Sequence, residues 1–213
     1  VHFTTKRELN EFYSDGVAIL DYFKKKRSTY FSPKNEELIG IEVPIYHPVN
    51  ETNDKVMMLG YLDIVVRDKR NGKITIIDIK TSTMGWNKYQ KADKTKTDQL
   101  LLYKHFYGAE HNIPVDRIDV EYFIAKRKLY EKLIEGAMFP QKRITEFAPA
   151  SGKPTRNALA SSIQGFVDSS FKDDGEYVNR PYPSIAGKNN KNCKWCEFKD
   201  QPDLCPVASR IKE

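Results

Sequence analysis

Cysteine is scarce in this chain: there are three, an odd number, and all lie between Cys193 and Cys205. That excludes a disulfide framework of the secreted kind and fits thiols kept reduced or held on a metal. Long apolar runs are missing too, so no segment reads as a membrane span, and no signal-peptide pattern opens the sequence. Neither an internal repeat nor a low-complexity tract is present, which removes solenoids and disordered tails from consideration. Histidine is sparse, at four. The chain opens at Val1 rather than at a methionine, which leaves room for native residues upstream.

What is there suits one globular unit. The 213 residues are 39% hydrophobic and 12% aromatic, enough to bury a core. Thirty-five basic residues face 29 acidic ones, giving a net charge of +6 and a pI near 9.0. That excess favours a polyanionic partner, because neutralising phosphates releases counterions, although many basic proteins bind no nucleic acid.

Residues 5–26 read as a helix. Thr5 and Glu8 have capping-box spacing, and Leu9, Phe12, Tyr13, Ile19, Leu20 and Phe23 recur as an apolar stripe. The run Lys24-Lys25-Lys26-Arg27 reads as its solvated end. A strand is expected over 39–46, where Ile41, Val43 and Ile45 alternate against Glu42, followed by a loop over 47–55. Met57–Val66 and Lys73–Lys80 read as two strands joined through Asn71-Gly72, a strong hairpin signal. Residues 82–96 read as a lysine-rich loop, and 98–111 as a helix capped by Thr95 or Thr97. Strands at 118–124 and 143–147 and a helix at 155–171 follow, then a proline-, glycine- and asparagine-rich tail. The order predicts an α/β fold, a central mixed sheet flanked by helices.

The hairpin permits a geometric expectation. A turn centred on Asn71-Gly72 sets Asp63 opposite Lys80 and Val65 opposite Asp78. Paired residues share a face, as do residues two apart on one strand, so Asp63, Asp78 and Lys80 project from one side. A one-residue bulge would break this parity. Two charges end the β-branched run Ile74-Thr75-Ile76-Ile77-Asp78-Ile79-Lys80, where a core would exclude them. Two carboxylates and an amine suit a hard divalent cation such as Mg²⁺, which takes oxygen ligands and leaves room for water and phosphate. Phosphodiester hydrolysis needs that set: an activated water, charge neutralisation at phosphorus and help for the leaving oxygen. The competing reading is a surface salt bridge between Asp63 and Lys80 on an ordinary hairpin.

Gly60-Tyr61-Leu62-Asp63, Asp78-Ile79-Lys80-Thr81-Ser82 and Gln99-Leu100-Leu101-Leu102-Tyr103, in that order, resemble the motifs of the PD-(D/E)xK nuclease superfamily, RecB-like branch. The resemblance implies a restriction-endonuclease-like core within one domain, 1–213. Residues 1–150 would form its catalytic core, and 151–213 a C-terminal helix and cysteine-rich segment. It implies Mg²⁺ or Mn²⁺ held by Asp63, Asp78 and the carbonyl of Ile79, with Lys80 as the catalytic lysine. Gln99 and Tyr103, one helical turn apart, would help hold substrate and lysine. Glu42 resembles the acidic residue of the preceding strand, although an outward glutamate on a half-exposed strand explains it equally. One departure is plain: the metal-binding histidine of RecB-type N-terminal helices has no counterpart in 5–26. His2 is a poor substitute, and His47, His105 and His111 read as structural or exposed.

Cys193-Lys194-Trp195-Cys196 followed by Cys205-Pro206 resembles the C-terminal iron–sulfur segment of RecB-like nucleases such as the AddB subunit and the CRISPR adaptation nuclease. Four thiolates are usual for a [4Fe–4S] cluster, and three are present. The fourth could lie upstream, the site could hold Zn²⁺ with another ligand, or Trp195 and Phe198 could pack in a metal-free relic.

Trp86, Lys88, Tyr89, Lys91, Lys94 and Lys96 adjoin the expected site and are expected to touch DNA, lysines at phosphates and aromatics on unpaired bases. Lys126-Arg127-Lys128 would extend that track. The function expected is a metal-dependent DNA exonuclease of recombination, repair or phage genome processing, in the cytoplasm of a bacterial or phage-infected cell. A helicase or recombination partner is implied with it. The alternative is a non-catalytic DNA-binding or scaffold module that keeps the nuclease fold. No motif speaks to cleavage polarity or oligomeric state.

Overall fold

The computed structural model describes residues 4–49, 54–130, 141–179 and 183–212, so His2 lies outside the described residues. Helix α1 spans Lys6–Tyr30 and opens with the expected capping box: the Thr5 side chain accepts from the Glu8 N–H, and Glu8 accepts from the Thr5 N–H. Strands β1 (Glu36–Pro48), β2 (Met57–Asp68) and β3 (Ile74–Ser82) follow. A short helix α2 (Lys88–Ala92) and the longer α3 (Lys94–Glu110) lead to β4 (Ile118–Lys126) and β5 (Ile144–Phe147). Helix α4 covers Lys153–Ser170, and two short strands, β6 (Ser184–Ile185) and β7 (Arg210–Ile211), pair in the tail.

The five longer strands form one mixed sheet in the order β1-β2-β3-β4-β5. Within this sheet β3 and β4 run parallel and the other neighbours antiparallel, and the crossover between β3 and β4 is α2 and α3. One face carries the larger core, where Ile74 and Ile76 of β3 and Ile118, Val120 and Ile124 of β4 meet Leu100, Leu101 and Phe106 of α3. Leu159 and Ile163 of α4 pack against the same core. On the opposite face Val66, Ile77 and Phe123 are covered by Tyr22, Phe23 and Tyr30 of α1. The α/β expectation is met: helices lie on both faces of a mixed sheet.

Three local expectations differ. The lysine-rich loop contains α2, capped by Asn87, whose side chain accepts from the Tyr89 and Gln90 N–H groups. Helix α3 is capped by Asp93 rather than by Thr95 or Thr97, since the Asp93 carboxylate reaches the Thr95 N–H and hydroxyl. On α1 the apolar stripe divides: Phe23 faces the sheet, while Leu9, Tyr13 and Leu20 are exposed. The cause is position, because α1 packs over part of its face, from β2 to β5, and leaves Leu38 and Ile41 of β1 bare.

Candidate active site

The β2–β3 hairpin turns one residue earlier than the sequence suggests. The Asp68 N–H donates to the Lys73 carbonyl, so the turn centres on Arg70 and Asn71. Cross-strand pairs are therefore Val65↔Ile76 and Ile64↔Ile77. A shift of one residue in the centre moves partners by two, so parity survives but the partner changes: one step beyond Ile64↔Ile77, Asp63 meets Asp78 and not Lys80.

Pairing ends at that step, and the pleat changes with it. Leu62 and Val65 belong to the α3-side core, whereas Ile64 and Val66 belong to the α1 side, so alternation along β2 is interrupted around Asp63. Across on β1, Glu42 occupies the position between Ile41↔Ile64 and Val43↔Leu62, opposite Asp63, with a φ of 52°. A non-glycine residue in that left-handed region is strained by about 1–3 kcal/mol. With Asp78↔Tyr122 in the parallel β3–β4 register, one transverse row runs Glu42, Asp63, Asp78, Tyr122.

Within this row Asp63 and Asp78 act as a pair. Asp63 Oδ2 accepts from the Ile79 main-chain N–H at 2.6 Å, bridging the gap where β2 and β3 part. Asp78 is 2% exposed, and its Oδ2 lies 2.8 Å from Lys80 Nζ, yet that oxygen has no well-directed hydrogen bond. Burial pushes the Asp78 carboxyl above the usual carboxylate range, Lys80 pulls it back, and the charge of Asp63 adds to the rise. Two acids close enough to repel, one of them buried with an under-used oxygen, form a donor set that a hard cation would stabilise. Two carboxylates plus waters meet the usual needs of Mg²⁺. Ile79, between them, is 43% exposed.

The helix motif reaches the row from α3. Gln99 Nε2 donates to the Tyr103 hydroxyl at 2.9 Å. The Tyr103 ring edge packs close to Gly60 of β2, which has no side chain: a Cβ there would come within 3.2 Å of Tyr103 Cε1. The glycine of the first motif thus makes room for the tyrosine of the third.

Other expected site residues are placed differently. Glu42 stands opposite Asp63, but among the described residues no three histidine, cysteine, aspartate or glutamate side chains gather closely enough to hold a metal ion. Trp86 is partly buried, its ring 4.8 Å from that of Tyr122 and 6.2 Å from that of Phe147, packed against the core. Lys91 extends over the Phe147 ring, and Lys96 pairs with Asp93 at 2.9 Å. Lys88 lies over the ring of Tyr89, which is 74% exposed, and Lys94 is exposed at the start of α3. Arg127 and Lys128 are tied to α1 through Asp15, with Lys128 also held by Glu11 at 2.9 Å. His47 and His105 both contact Phe106, and His111 contacts Tyr107.

Cys193, Cys196 and Cys205 line one cavity of about 380 Å³ in the tail, with Ser184 and Arg210. Hydrogen bonds from Ser184 and Arg210 hold the Cys205 thiol below its ordinary pKa. Among the described residues no three thiol, imidazole or carboxylate side chains gather closely enough to hold a [4Fe–4S] cluster or Zn²⁺.

Tyr122 is the site residue that sequence reading missed. Nothing along the chain reveals which later strand lies parallel to β3, so its place beside Asp78 emerges only from the sheet.

No curated protein matches this chain closely enough to compare. A family model described as the PD-(D/E)XK nuclease superfamily matches residues 8–205, nearly the whole length and all three motif segments. The chain belongs to the PD-(D/E)XK nuclease superfamily.

Proposed function

We propose that this protein is a metal-dependent deoxyribonuclease that hydrolyses phosphodiester bonds at the Asp63–Asp78–Lys80 site. Members of the superfamily are usually metal-dependent nucleases and generally use Mg²⁺ or Mn²⁺. The observation that carries the reading is the meeting of Asp63 and Asp78 where β2 parts from β3, with Lys80 Nζ 2.8 Å from the second carboxylate.

In this reading Asp63, Asp78 and the Ile79 carbonyl hold the divalent cation. Such an ion supplies Lewis acidity and a more acidic bound water. Lys80, 34% exposed on its side chain, is placed to orient the attacking water and to balance negative charge growing at phosphorus. Gln99 and Tyr103, linked to each other, border the same row and would fix a phosphate or sugar. Lys88, Tyr89 and Lys94, on the exposed side of α2 and the start of α3, are the remaining candidates for the approaching strand.

The net charge of +6 and the family's chemistry favour DNA as substrate. Base-specific recognition has no visible support, which argues against a restriction enzyme and favours an exonuclease of DNA repair, recombination or phage genome processing, working in the cytoplasm beside a helicase or recombination partner. Among the described residues no helix is long and apolar enough to cross a membrane.

The test is degradation of end-labelled linear and closed circular DNA, single- and double-stranded, with Mg²⁺, Mn²⁺ or EDTA. Cleavage of linear DNA alone, abolished by EDTA and by Asp78→Ala and cut to a low residual rate by Lys80→Ala, is expected. Metal-independent binding with no cleavage would overturn the catalytic reading and leave a scaffold that keeps the fold.

A further inference from the structure

Beside Lys80 lies a side chain that the nuclease reading leaves without a task. Tyr122 is fully buried on β4, next to Asp78 in the parallel register. Lys80 Nζ stands over its ring, 5.9 Å from the centroid. The Tyr122 hydroxyl donates to the Lys96 carbonyl in the first turn of α3. Trp86 packs on the ring at 4.8 Å, and Phe147 stacks nearly parallel at 6.5 Å. The ring is therefore fixed on several sides, with lysine over it.

Lysine needs such a floor. Its ammonium rides on a flexible four-carbon stem, and holding it in one place costs much of its rotamer freedom. The Asp78 carboxylate holds it at 2.8 Å, but in the nuclease reading that carboxylate is also a cation ligand. An acid shared with a divalent cation has less charge to offer an ammonium. An aromatic face is not a ligand for Mg²⁺, so its attraction for the ammonium persists when Asp78 is engaged.

We propose that Tyr122 is the positioning residue for Lys80: its ring holds the ammonium at the level of the Asp63–Asp78 pair, and its hydroxyl anchors that ring to α3. This rests on the nuclease reading for its catalytic consequence but not for its geometry. The hydroxyl's hydrogen bond goes to main chain, so the ring, not the phenol, sets the lysine.

Two measurements test it on the full chain. Steady-state cleavage of linear DNA at saturating Mg²⁺ compares wild type with Tyr122→Phe, Tyr122→Leu and Tyr122→Met, each also combined with Lys80→Ala, with folding checked by thermal melting. Tyr122→Phe should keep kcat within about threefold, while Leu or Met lowers kcat about tenfold with KM little changed. With Lys80→Ala already present, the ring substitutions should change the residual rate less than twofold. An unchanged kcat in a folded Leu or Met variant, or an equal loss with and without Lys80, overturns the proposal.

The second readout does not need activity. After reductive methylation with ¹³C-formaldehyde, the Lys80 dimethylammonium signal, assigned by its disappearance in Lys80→Arg, should be shifted upfield by the ring current. It should return to the common lysine position in Tyr122→Leu or Tyr122→Met. No upfield shift in wild type sinks the positioning role. A clear shift together with no cleavage under any metal condition sinks the nuclease reading alone.

Discussion

The main-chain N–H of Ile79 donates to the Asp63 carboxylate at 2.6 Å, across the point where β2 and β3 cease to pair. A side chain thus replaces a ladder partner at the position where the sheet opens. The same oxygen-rich gap is where the second acid, Asp78, is buried.

That bond separates two substitutions at one position. Asp63→Asn keeps an oxygen acceptor for the Ile79 N–H, so the fold should stay within about 1 kcal/mol of wild type while cleavage is lost. Asp63→Ala leaves the N–H without its partner and should also lower stability by about 1–3 kcal/mol. Denaturant melts paired with cleavage rates distinguish the two. Equal stability of both variants would mean that the bond contributes nothing.

Asp78 predicts an opposition between stability and activity. Its carboxyl is raised by burial above the usual range, so ionising it opposes folding, and the stability present at low pH is lost as pH rises through the folded pKa. Asp78→Asn should therefore melt no lower than wild type in EDTA at pH 8, yet lose at least about a hundredfold in cleavage. Mg²⁺ at a hundred times its Kd should stabilise wild type by about 2.7 kcal/mol and leave Asp78→Asn unmoved. Differential scanning fluorimetry against Mg²⁺ concentration reads both.

Glu121 gives the clearest dependence on pH. Burial on β4, with Glu146, Glu36 and Asp119 nearby, pushes its carboxyl from 4.5 to about 7. The folded value is the higher one, so the fold binds this proton more tightly than the unfolded chain does. Stability should fall as pH rises between those two values, and Glu121→Gln should flatten the decline. The gain at pH 8 is expected to be about 1–2 kcal/mol once solvent screening of this partly exposed group is allowed for. Chemical melts at pH 5 and pH 8 check the sign. A variant equally stable to wild type at both would contradict it.

Glu42 tests whether strain is kept for function. Glycine adopts a φ of 52° freely, so Glu42→Gly should relieve the backbone and raise stability by up to about 1 kcal/mol. Glu42→Ala keeps the strain and should not stabilise. Both remove a carboxylate opposite Asp63 and should slow cleavage at low Mg²⁺. A stabilised Glu42→Gly enzyme with full activity would assign the strain to the fold alone.

Much of this was legible in the sequence because local chemistry and global fold agree there. The Thr5–Glu8 capping box starts α1 where its spacing predicts, and the alternation of β3 carries Asp78 and Lys80 to one side. Parity held through the paired part of the hairpin, from Ile64 to Ile77, despite an error in the turn's centre, since moving the centre by one residue moves partners by two; at Asp63 the interrupted alternation takes over. The unreadable parts depend on long-range placement. The interrupted pleat at Asp63 involves Glu42 on another strand, and the packing of Trp86 requires Tyr122 and Phe147, which arrive much later in the chain. Exposure of Leu9, Tyr13 and Leu20 followed from where α1 crosses the sheet, which no helical periodicity can state.

The crossover between β3 and β4 binds chemistry to scaffold. Since α3 is that crossover, it brings Gln99 and Tyr103, fills the larger core with Leu100 and Phe106, and receives the Tyr122 hydroxyl. Unwinding its first turn would free the anchor of the ring beneath Lys80 as well as the helix motif. Amide hydrogen exchange in α3 and at Asp78 through Lys80 is accordingly expected to share one opening free energy, so that the site is either whole or absent and seldom half assembled.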